Sequence, residues 1–297
     1  MAMALPGSAR RRTGRGRSNE SASTAWAIVA WIVGLIAFFP VLYMVLTGFK
    51  TEAEAVELPP KLVFNPTFEN YADVFRIDFW PFFRNSIVAS LASTALVMLL
   101  AVPCAYALAL RRPKKWKDVL FFFISTRFMP PAGAIVPLYI LFSANGDPKL
   151  FGFGLDLLNT MQGLVILYTA MNLPIAVWML RSFLEEVPRD VLDAARVDGA
   201  GLFREMTQIV LPMITPGLVA TMFISIIFAW NEFFFAFNLA SVGTSTVPIF
   251  MVRFVTGEGL FWAKLAASCT MGVLPIVLLG WVAQRQLVRG LSMGAVK

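Results

Sequence analysis

Long apolar stretches separated by short polar connections make up most of the chain. A helix needs about 20 mostly apolar residues to cross the hydrocarbon core of a bilayer, because its backbone polar groups must be satisfied within the helix itself. Six stretches meet this requirement: residues 24–49, 85–110, 119–144, 157–180, 206–231 and 265–284. Only the third contains a charge, Arg127. The pattern predicts an all-α polytopic membrane protein with six transmembrane helices.

The composition supports this prediction and narrows the possible chemistry. Apolar residues make up 58% of the 297 residues, compared with roughly 45–50% in soluble domains. Histidine is absent, and the two cysteines, Cys104 and Cys269, lie inside apolar stretches. The chain therefore lacks the usual general base and the usual zinc ligand, so we expect no metal site and disfavour a membrane-embedded enzyme.

Lys and Arg residues are concentrated on one side of the predicted helices. They cluster before residue 24, in the connections 111–117 and 181–204, and after residue 284, so the positive-inside tendency places both termini in the cytoplasm. We assign this charge to topology and to contact with anionic lipid, and we predict no nucleic-acid site. The predicted organisation is a disordered cytoplasmic tail (1–23), a first transmembrane helix (24–49), an extracytoplasmic loop (50–84), a five-helix core (85–285) and a cytoplasmic C-terminal tail (286–297).

The segment DAARVDGAGLFREMTQIVLP, residues 193–212, carries charges, paired alanines and glycines between two apolar stretches. Pro188 suits the first turn of a helix, and Gly199 and Gly201 favour its end, so we expect a short helix over residues 189–198. After the glycines, apolar side chains recur at helical spacing and lead into the fifth predicted span. Residues 185–212 are therefore predicted to form an L-shaped cytoplasmic elbow. A loop helix without any partner outside the chain is the alternative.

The spacing of this segment resembles a known motif. Asp193-Ala194-Ala195, Gly199 after three residues, and Ile209-Val210-Leu211-Pro212 after nine more resemble E-A-A-x3-G-x9-I-x-L-P, the EAA loop of bacterial ABC importer permeases. Asp193 replaces the family's Glu, which keeps the charge and shortens its reach. The stretches FNPTFENYADVF, IVPLYILF, FAWNEFFFAFNLA and QRQLVRGLSMGAVK are similar to carbohydrate permeases of the maltose-transporter type, so the resemblance covers nearly the whole chain beyond residue 25.

This resemblance implies a type I ABC importer permease fold and several partner chains. In that family the loop docks as a coupling helix into a cleft of a cytoplasmic ATPase. The implied partners are an ATPase dimer, a homologous second permease subunit, an extracytoplasmic solute-binding protein and a carbohydrate substrate, in a bacterial cytoplasmic membrane. No G-x-x-x-x-G-K-[ST] loop occurs, so ATP and Mg²⁺ would be bound by the ATPase and no cofactor by this chain. The implied ATPase contacts are Asp193, Ala194, Ala195, Asp198, Gly199, Ala200, Leu202 and Phe203.

Polar residues inside the predicted spans are candidates for a translocation path. A charge such as Arg127 is costly within hydrocarbon unless it faces a cavity or a partner. Arg127 either hydrogen-bonds to sugar hydroxyls or pairs with an acid such as Glu232, and we favour the pairing. For each candidate, interhelical packing is the alternative to substrate contact. The candidates are Arg127, Asn172, Trp230, Asn231 and Glu232.

The predicted function is a permease subunit that forms half of the path for a sugar, oligosaccharide or polyol and couples it to a separate ATPase. An ABC permease for a non-carbohydrate solute is one alternative. An ion-coupled secondary transporter, with Arg127 and Glu232 in the coupling pathway, is another. The single elbow and the absence of visible inverted halves disfavour the secondary transporter.

Overall fold

The computed structural model describes residues 16–143, 154–241, 243–256 and 259–293, which are mostly helical. The helices are α1 Gly16–Gly48, α2 Glu52–Ala55, α3 Glu69–Arg76, α4 Phe79–Tyr106, α5 Trp116–Arg127, α6 Pro131–Phe142, α7 Met161–Glu185, α8 Arg189–Val197, α9 Leu202–Arg204, α10 Leu211–Met213, α11 Thr215–Trp230, α12 Phe234–Leu239, α13 Val247–Val252 and α14 Trp262–Met293. Two π-helical turns, Ala107–Arg111 and Glu205–Val210, continue α4 and α9. The strands β1 Val255–Thr256 and β2 Gly259–Leu260 pair antiparallel, with Val255 opposite Leu260.

Four of the described helices are long and apolar enough to cross a membrane, and two helix pairs bend sharply. The long segments are Trp26–Gly48, Phe79–Arg111, Met161–Glu185 and Trp262–Gln286. The bent pairs are α5 with α6, at 95°, and Leu202–Met213 with Thr215–Trp230, at 82°. Counted with each bent pair as one span, the described residues contain six candidate spans, in agreement with the apolar pattern.

Prolines explain both bends. α6 starts at Pro131, directly after Pro130, and proline is favoured there because the first helical N–H has no partner within the helix. Pro212 and Pro216 lie on either side of Ile214, where the second bent pair changes direction. The third and fifth spans, predicted as continuous stretches, are therefore each made of helices joined at an angle.

Two helices extend beyond the predicted boundaries. α1 begins at Gly16, inside the segment 1–23 predicted as a disordered tail. α14 continues to Met293, into the predicted tail 286–297. Each added helical residue gains a backbone hydrogen bond, so a helix started by an apolar stretch extends into polar residues that contain no proline. Residues 1–15 and 294–297 of these two tails lie outside the described residues.

α4 and α7 pack against each other over most of their length. Ala101, Ala105 and Ala176 are fully buried in this region, and such small side chains let neighbouring helices approach closely. α11 packs on α4 and on α14, and α1 packs on α14. The outward side of α1 is apolar, with Trp26 and Trp31 each 73% exposed, and is therefore suited to contact with lipid.

At one end of the bundle, residues 50–84 fold over the start of α14, and we call this the loop end. Glu52 accepts hydrogen bonds from the backbone N–H groups of Ala263 and Lys264, both at 3.0 Å. Lys264 Nζ also lies 3.0 Å from Asp73 Oδ2. A carboxylate in this position satisfies unpaired N–H groups at the start of a helix and interacts favourably with its dipole. The loop is thereby fixed to α14.

Candidate functional site

At the opposite end of the bundle, a bent projection formed by residues 189–213 corresponds to the elbow predicted over residues 185–212, and the name elbow refers to residues 189–213 from here on. Its first helix, α8, covers Arg189–Val197 and begins directly after Pro188. The chain then turns at Gly199, whose φ of +78° lies in the left-handed region that glycine adopts without strain. The short helix predicted over residues 189–198 is confirmed.

The outer face of the elbow is exposed and partly apolar. Val197, Phe203 and Leu202 are 88%, 75% and 58% exposed. A Cβ atom at Gly199 would meet no other atom of the chain within 4 Å, so the space beside this glycine is open. Several apolar side chains around an open glycine form a surface suited to a protein partner.

Most of the predicted ATPase contacts lie on this face. The exposed members of the set are Asp193, Ala194, Asp198, Gly199, Leu202 and Phe203, and Ala200 is half-buried. Ala195 is the exception, because it is 7% exposed and lies on the same side of α8 as the buried Leu192. Its carbonyl accepts a hydrogen bond from the Ala200 N–H at 2.9 Å. Ala195 therefore packs and orders the turn, which corrects its predicted role as a contact.

A fully buried carboxylate, Glu205, joins the elbow to the end of α4. Tyr106 Oη donates a hydrogen bond to Glu205 Oε1 at 2.6 Å. Arg196 donates to both carboxylate oxygens, from Nε to Oε2 at 3.1 Å and from Nη2 to Oε1 at 3.2 Å. Arg111 Nη2 lies 3.3 Å from Oε2. We call Tyr106, Arg111, Arg196 and Glu205 the Glu205 cluster.

The charges of this cluster compensate one another. A buried carboxylate is costly unless it is paired and hydrogen-bonded, and here two guanidinium groups and a hydroxyl meet both conditions. The hydrogen bonds to Glu205 raise the pKa of Arg196 above its ordinary value, so this side chain stays charged. Arg196 also lies 3.0 Å from Asp193, whose side chain is 68% exposed. Ion pairs therefore connect the outer face of α8 with the bundle.

Sequence reasoning did not identify Glu205, Tyr106 or Arg111 as site residues. One signal was present, since Glu205 is an acid within the apolar stripe that leads into the fifth span. Its partners are separated from it by 9, 94 and 99 positions along the chain. Spacing alone does not bring such distant residues together.

A cavity of about 480 Å³ lies between the bent α5–α6 pair and α7. Its volume is within the range of roughly 300–1,000 Å³ that is usual for small-molecule sites. We call it the Arg127 cavity. Its lining includes Thr126, Arg127, Ala134, Leu138, Leu167, Met171, Pro174 and Phe235.

Arg127, the last residue of α5, is exposed to this cavity. Its Nη1 donates a hydrogen bond to the Met171 carbonyl at 2.9 Å, and its guanidinium carbon lies 5.5 Å from the centre of the Phe228 ring. Met171 lies on α7 beside Pro174, and this proline removes one helical N–H donor from that turn. Among the described residues, no acidic side chain forms an ion pair with Arg127.

Glu232 is not the partner of Arg127. Its carboxylate accepts hydrogen bonds from the backbone N–H groups of Phe235, at 2.9 Å, and Ala236, at 3.1 Å, at the start of α12. An acid next to unpaired helical N–H groups is satisfied locally and needs no distant cation. The predicted Arg127–Glu232 pair is therefore wrong.

The remaining path candidates differ in their surroundings. Trp230 is buried and donates from Nε1 to the Gly272 carbonyl at 3.1 Å, which ties α11 to α14. Asn172 is 2% exposed, and its Oδ1 has no hydrogen-bond partner among the described residues. Asn231 is exposed and donates to the Ile227 carbonyl at 2.9 Å. In the part of the chain that the structure describes, no group of three or more Cys, Asp or Glu residues is placed to hold a metal ion.

Residues 99–292 match the model of a protein family described as the binding-protein-dependent transport system inner membrane component. The chain belongs to this family. It is a permease subunit of an ABC importer, and its role is transport. The matched region contains the elbow, the Glu205 cluster and the Arg127 cavity.

Two relatives extend the similarity over most of the chain. The permease of the sulfoquinovosyl glycerol transport system of Agrobacterium fabrum is 32% identical over 274 residues, which are 91% of this chain and 92% of that protein. The permease of the trehalose transport system of Mycobacterium tuberculosis is 32% identical over 283 residues, which are 93% of this chain and 98% of that protein.

A solved structure shows the same fold. The crystal structure of a bacterial ABC transporter involved in the import of the acidic polysaccharide alginate matches with a TM-score of 0.70 at 19% identity. The match covers 95% of this chain and 100% of that chain. The type I ABC importer permease fold that the sequence predicts is thereby confirmed.

Proposed function

We propose that this chain forms half of the translocation path of an importer for a sugar, oligosaccharide or polyol. It couples the path to a separate ATPase dimer, which binds ATP and Mg²⁺, and it binds no cofactor itself. A homologous permease subunit forms the other half, and an extracytoplasmic solute-binding protein delivers the substrate. The complex lies in the bacterial inner membrane, with both termini and the elbow in the cytoplasm.

The outer face of the elbow carries the proposed coupling role. Docking requires an ordered surface that projects from the bundle and that the chain itself leaves uncovered. The exposed Val197 and Phe203, and the open space beside Gly199, have these properties. Asp193 adds an exposed carboxylate for a cationic side chain of the ATPase. The proposed contacts are Asp193, Ala194, Val197, Asp198, Gly199, Ala200, Leu202 and Phe203.

Two observations support a carbohydrate substrate. The relatives from Agrobacterium and Mycobacterium are named for the transport of sulfoquinovosyl glycerol and of trehalose. The Arg127 cavity combines guanidinium donors, of which one is bound to Met171, with apolar walls such as Phe235. Sugars offer hydroxyl acceptors and apolar ring faces to such a site. Asn172 and Asn231 remain candidates for the path, whereas Trp230 and Glu232 are assigned to packing and capping.

Purification of the intact complex from its own membranes tests this proposal. Mass spectrometry is expected to identify an ATPase and a second permease, and proteoliposomes are expected to accumulate labelled trehalose or another saccharide only with ATP and a solute-binding protein. Uptake that persists without ATP and stops with an ionophore would contradict it.

Arg127→Leu tests the path residue separately. Loss of a charged hydrogen-bond donor costs roughly 1.5–3 kcal/mol, so we expect uptake to fall about tenfold or more while the complex stays assembled. Arg127→Lys, which keeps the charge, is expected to fall less. Loss of assembly in Arg127→Leu would assign this residue to helix packing instead.

A further inference from the structure

We propose that Glu205 is a positioning residue that fastens α8 to the end of α4, so that a displacement of α8 reaches the second span directly as well as the fifth span along the chain. The proposal rests on the docking role proposed above for the elbow, and it assigns a role to four residues that lie behind the docking surface.

The geometry places Glu205 at a junction of three segments. The acid begins the π-helical turn of the elbow, Arg196 lies on α8, and Tyr106 ends α4. Every group in contact with the carboxylate is a donor, and three of the contacts are 3.2 Å or shorter. Arg196 is held in place by ion pairs with Glu205 on one side and with Asp193 on the other. These contacts give a displacement of α8 a direct route to Glu205 and from there to Tyr106.

Apolar packing also joins these elements, since Leu192 of α8 and Tyr106 of α4 belong to one buried apolar cluster, but this packing is incomplete beside the Glu205 cluster. A cavity of about 500 Å³, open on one side, lies there between Pro103 and Ala107, at the end of the second span, and Leu202 and Phe203 of the elbow, and Tyr106 and Arg111 of the cluster also line it. Dispersion contacts need atoms close to van der Waals distance, so helix ends with a void between them are not held by such contacts there. The Glu205 cluster bridges the two helix ends beside this void.

Both sides of the junction also contain irregular helix. The π-helical turns Ala107–Arg111 and Glu205–Val210 each include a cluster residue, Arg111 in the first and Glu205 in the second. Single π-helical turns within α-helices are rare and occur frequently at functional positions. An ion cluster at this place fixes two segments that regular helical hydrogen bonding holds less well.

Substitutions that separate charge from volume test the role. Glu205→Gln keeps the size of the side chain and removes its charge, whereas Glu205→Asp keeps the charge and removes volume. A packing role predicts that Gln is tolerated better, and an ion cluster predicts that Asp is tolerated better. Tyr106→Phe removes the hydroxyl alone and supplies a mild variant in case both changes at Glu205 impair folding.

The measurement is the distance between spin labels on α8 and on the connection after α4 in the complete complex with its ATPase. Arg189→Cys on α8, which lies outside the proposed ATPase contacts, and Lys114→Cys are exposed label sites, with Cys104 and Cys269 replaced by Ser. We expect one narrow distance distribution in the wild type, both without nucleotide and after trapping with MgATP and vanadate. In Glu205→Gln, trapping is expected to shift or broaden the distribution by on the order of 2–5 Å, the scale of helix displacements in switching proteins. For Glu205→Asp and Tyr106→Phe, we expect a nucleotide-dependent change in the distance that is larger than in the wild type and smaller than in Glu205→Gln.

Glu185→Gln is the matched control, because Glu185 pairs with Arg112 and Arg181 near the same junction without contacting α8. It is expected to leave the distance narrow. A narrow, nucleotide-independent distance in Glu205→Gln and Tyr106→Phe would overturn the role of the cluster, as would an equal effect of Glu185→Gln. Failure of the wild-type chain to bind an ATPase would instead remove the proposed docking function.

Discussion

The two ends of the bundle both hold a helix with a glutamate, but they leave different surfaces uncovered. At the loop end, Glu52 binds the first N–H groups of α14, and Asp73 pairs with Lys264 of the same helix. Lys50, at the start of the loop, is fully buried, with Nζ 4.6 Å from the Tyr43 ring centre and 5.3 Å from that of Phe64. These charged groups of the loop end, Glu52, Asp73, Lys264 and Lys50, are directed toward the chain itself.

At the elbow end, by contrast, the charged Glu205 cluster lies behind a surface that stays exposed. The buried Glu205 holds the inner side of the elbow, whereas Val197, Phe203 and the open face at Gly199 are directed outward. The comparison shows that an ion cluster behind the outer face can hold the elbow in a fixed conformation without covering that face. The elbow is therefore ordered and still free for a partner, as a transmitting element requires.

The largest predicted difference between the two ends concerns stability. Glu205→Ala leaves Arg111 and Arg196 next to each other without their shared anion. We expect the free energy of unfolding to fall by about 3 kcal/mol, at the low end of the cost of breaking a buried pair, since both arginines are partly in water. Thermal unfolding of the purified protein measures this loss. A loss no larger than that of a surface ion pair would contradict the assigned burial.

The second prediction concerns docking. Gly199→Trp fills the open space of the outer face and is expected to weaken ATPase binding about 100-fold, or about 2.7 kcal/mol. Gly199→Ala separates strain from bulk, because it adds only the cost of a left-handed backbone, about 1 kcal/mol. Binding of the ATPase to the purified permeases, with a size-exclusion profile as the folding control, gives the result.

Gly243→Trp is the matched control for this experiment, since Gly243 lies in the connection after α12 and also has open space around its Cβ position. It is expected to leave ATPase binding unchanged. If Gly199→Trp binds the ATPase as the wild type does, the elbow is not the docking surface.

A smaller effect is predicted at the loop end. Glu52→Ala removes the acceptor of two N–H groups at the start of α14, and loss of such a cap costs about 1–2 kcal/mol. Unfolding is expected to show this decrease while ATPase binding stays unchanged, because the two ends have separate contacts. Reduced ATPase binding in Glu52→Ala would show that the ends are coupled through α14.

The smallest effect is predicted for Lys50→Met. The Lys50 ammonium has no hydrogen-bond partner among the described residues, so its burial is costly, and its contacts with two rings offset that cost. Methionine keeps the length of the side chain and removes both the cost of burying the ammonium and its favourable contacts with the two rings. We expect the free energy of unfolding to change by less than about 1 kcal/mol. A loss of several kcal/mol in thermal unfolding would show that a strong acceptor binds the ammonium.

Several features of the elbow follow from local rules and were predicted. Pro188 and Gly199 bound a helix of nine residues because each has a backbone preference that does not depend on distant contacts. The bends at Pro131 and Ile214 have the same local origin, although their angles depend on packing. Ala195 was misassigned because the motif places it beside Ala194, whereas helical rotation turns the two side chains to different sides of α8.

The sequence by itself determined the membrane class, the six candidate spans, the elbow and the family, because these depend on apolar length and on spacing along the chain. The tertiary structure alone decided which charges meet. Glu232 accepts hydrogen bonds from backbone N–H groups three and four residues away, whereas Glu205 accepts one from Tyr106, which is 99 positions away along the chain. Such partners depend on how α4, α7 and the elbow pack. A buried charge is stable only when donors lie within hydrogen-bond distance, and the packing of the helices decides which donors do.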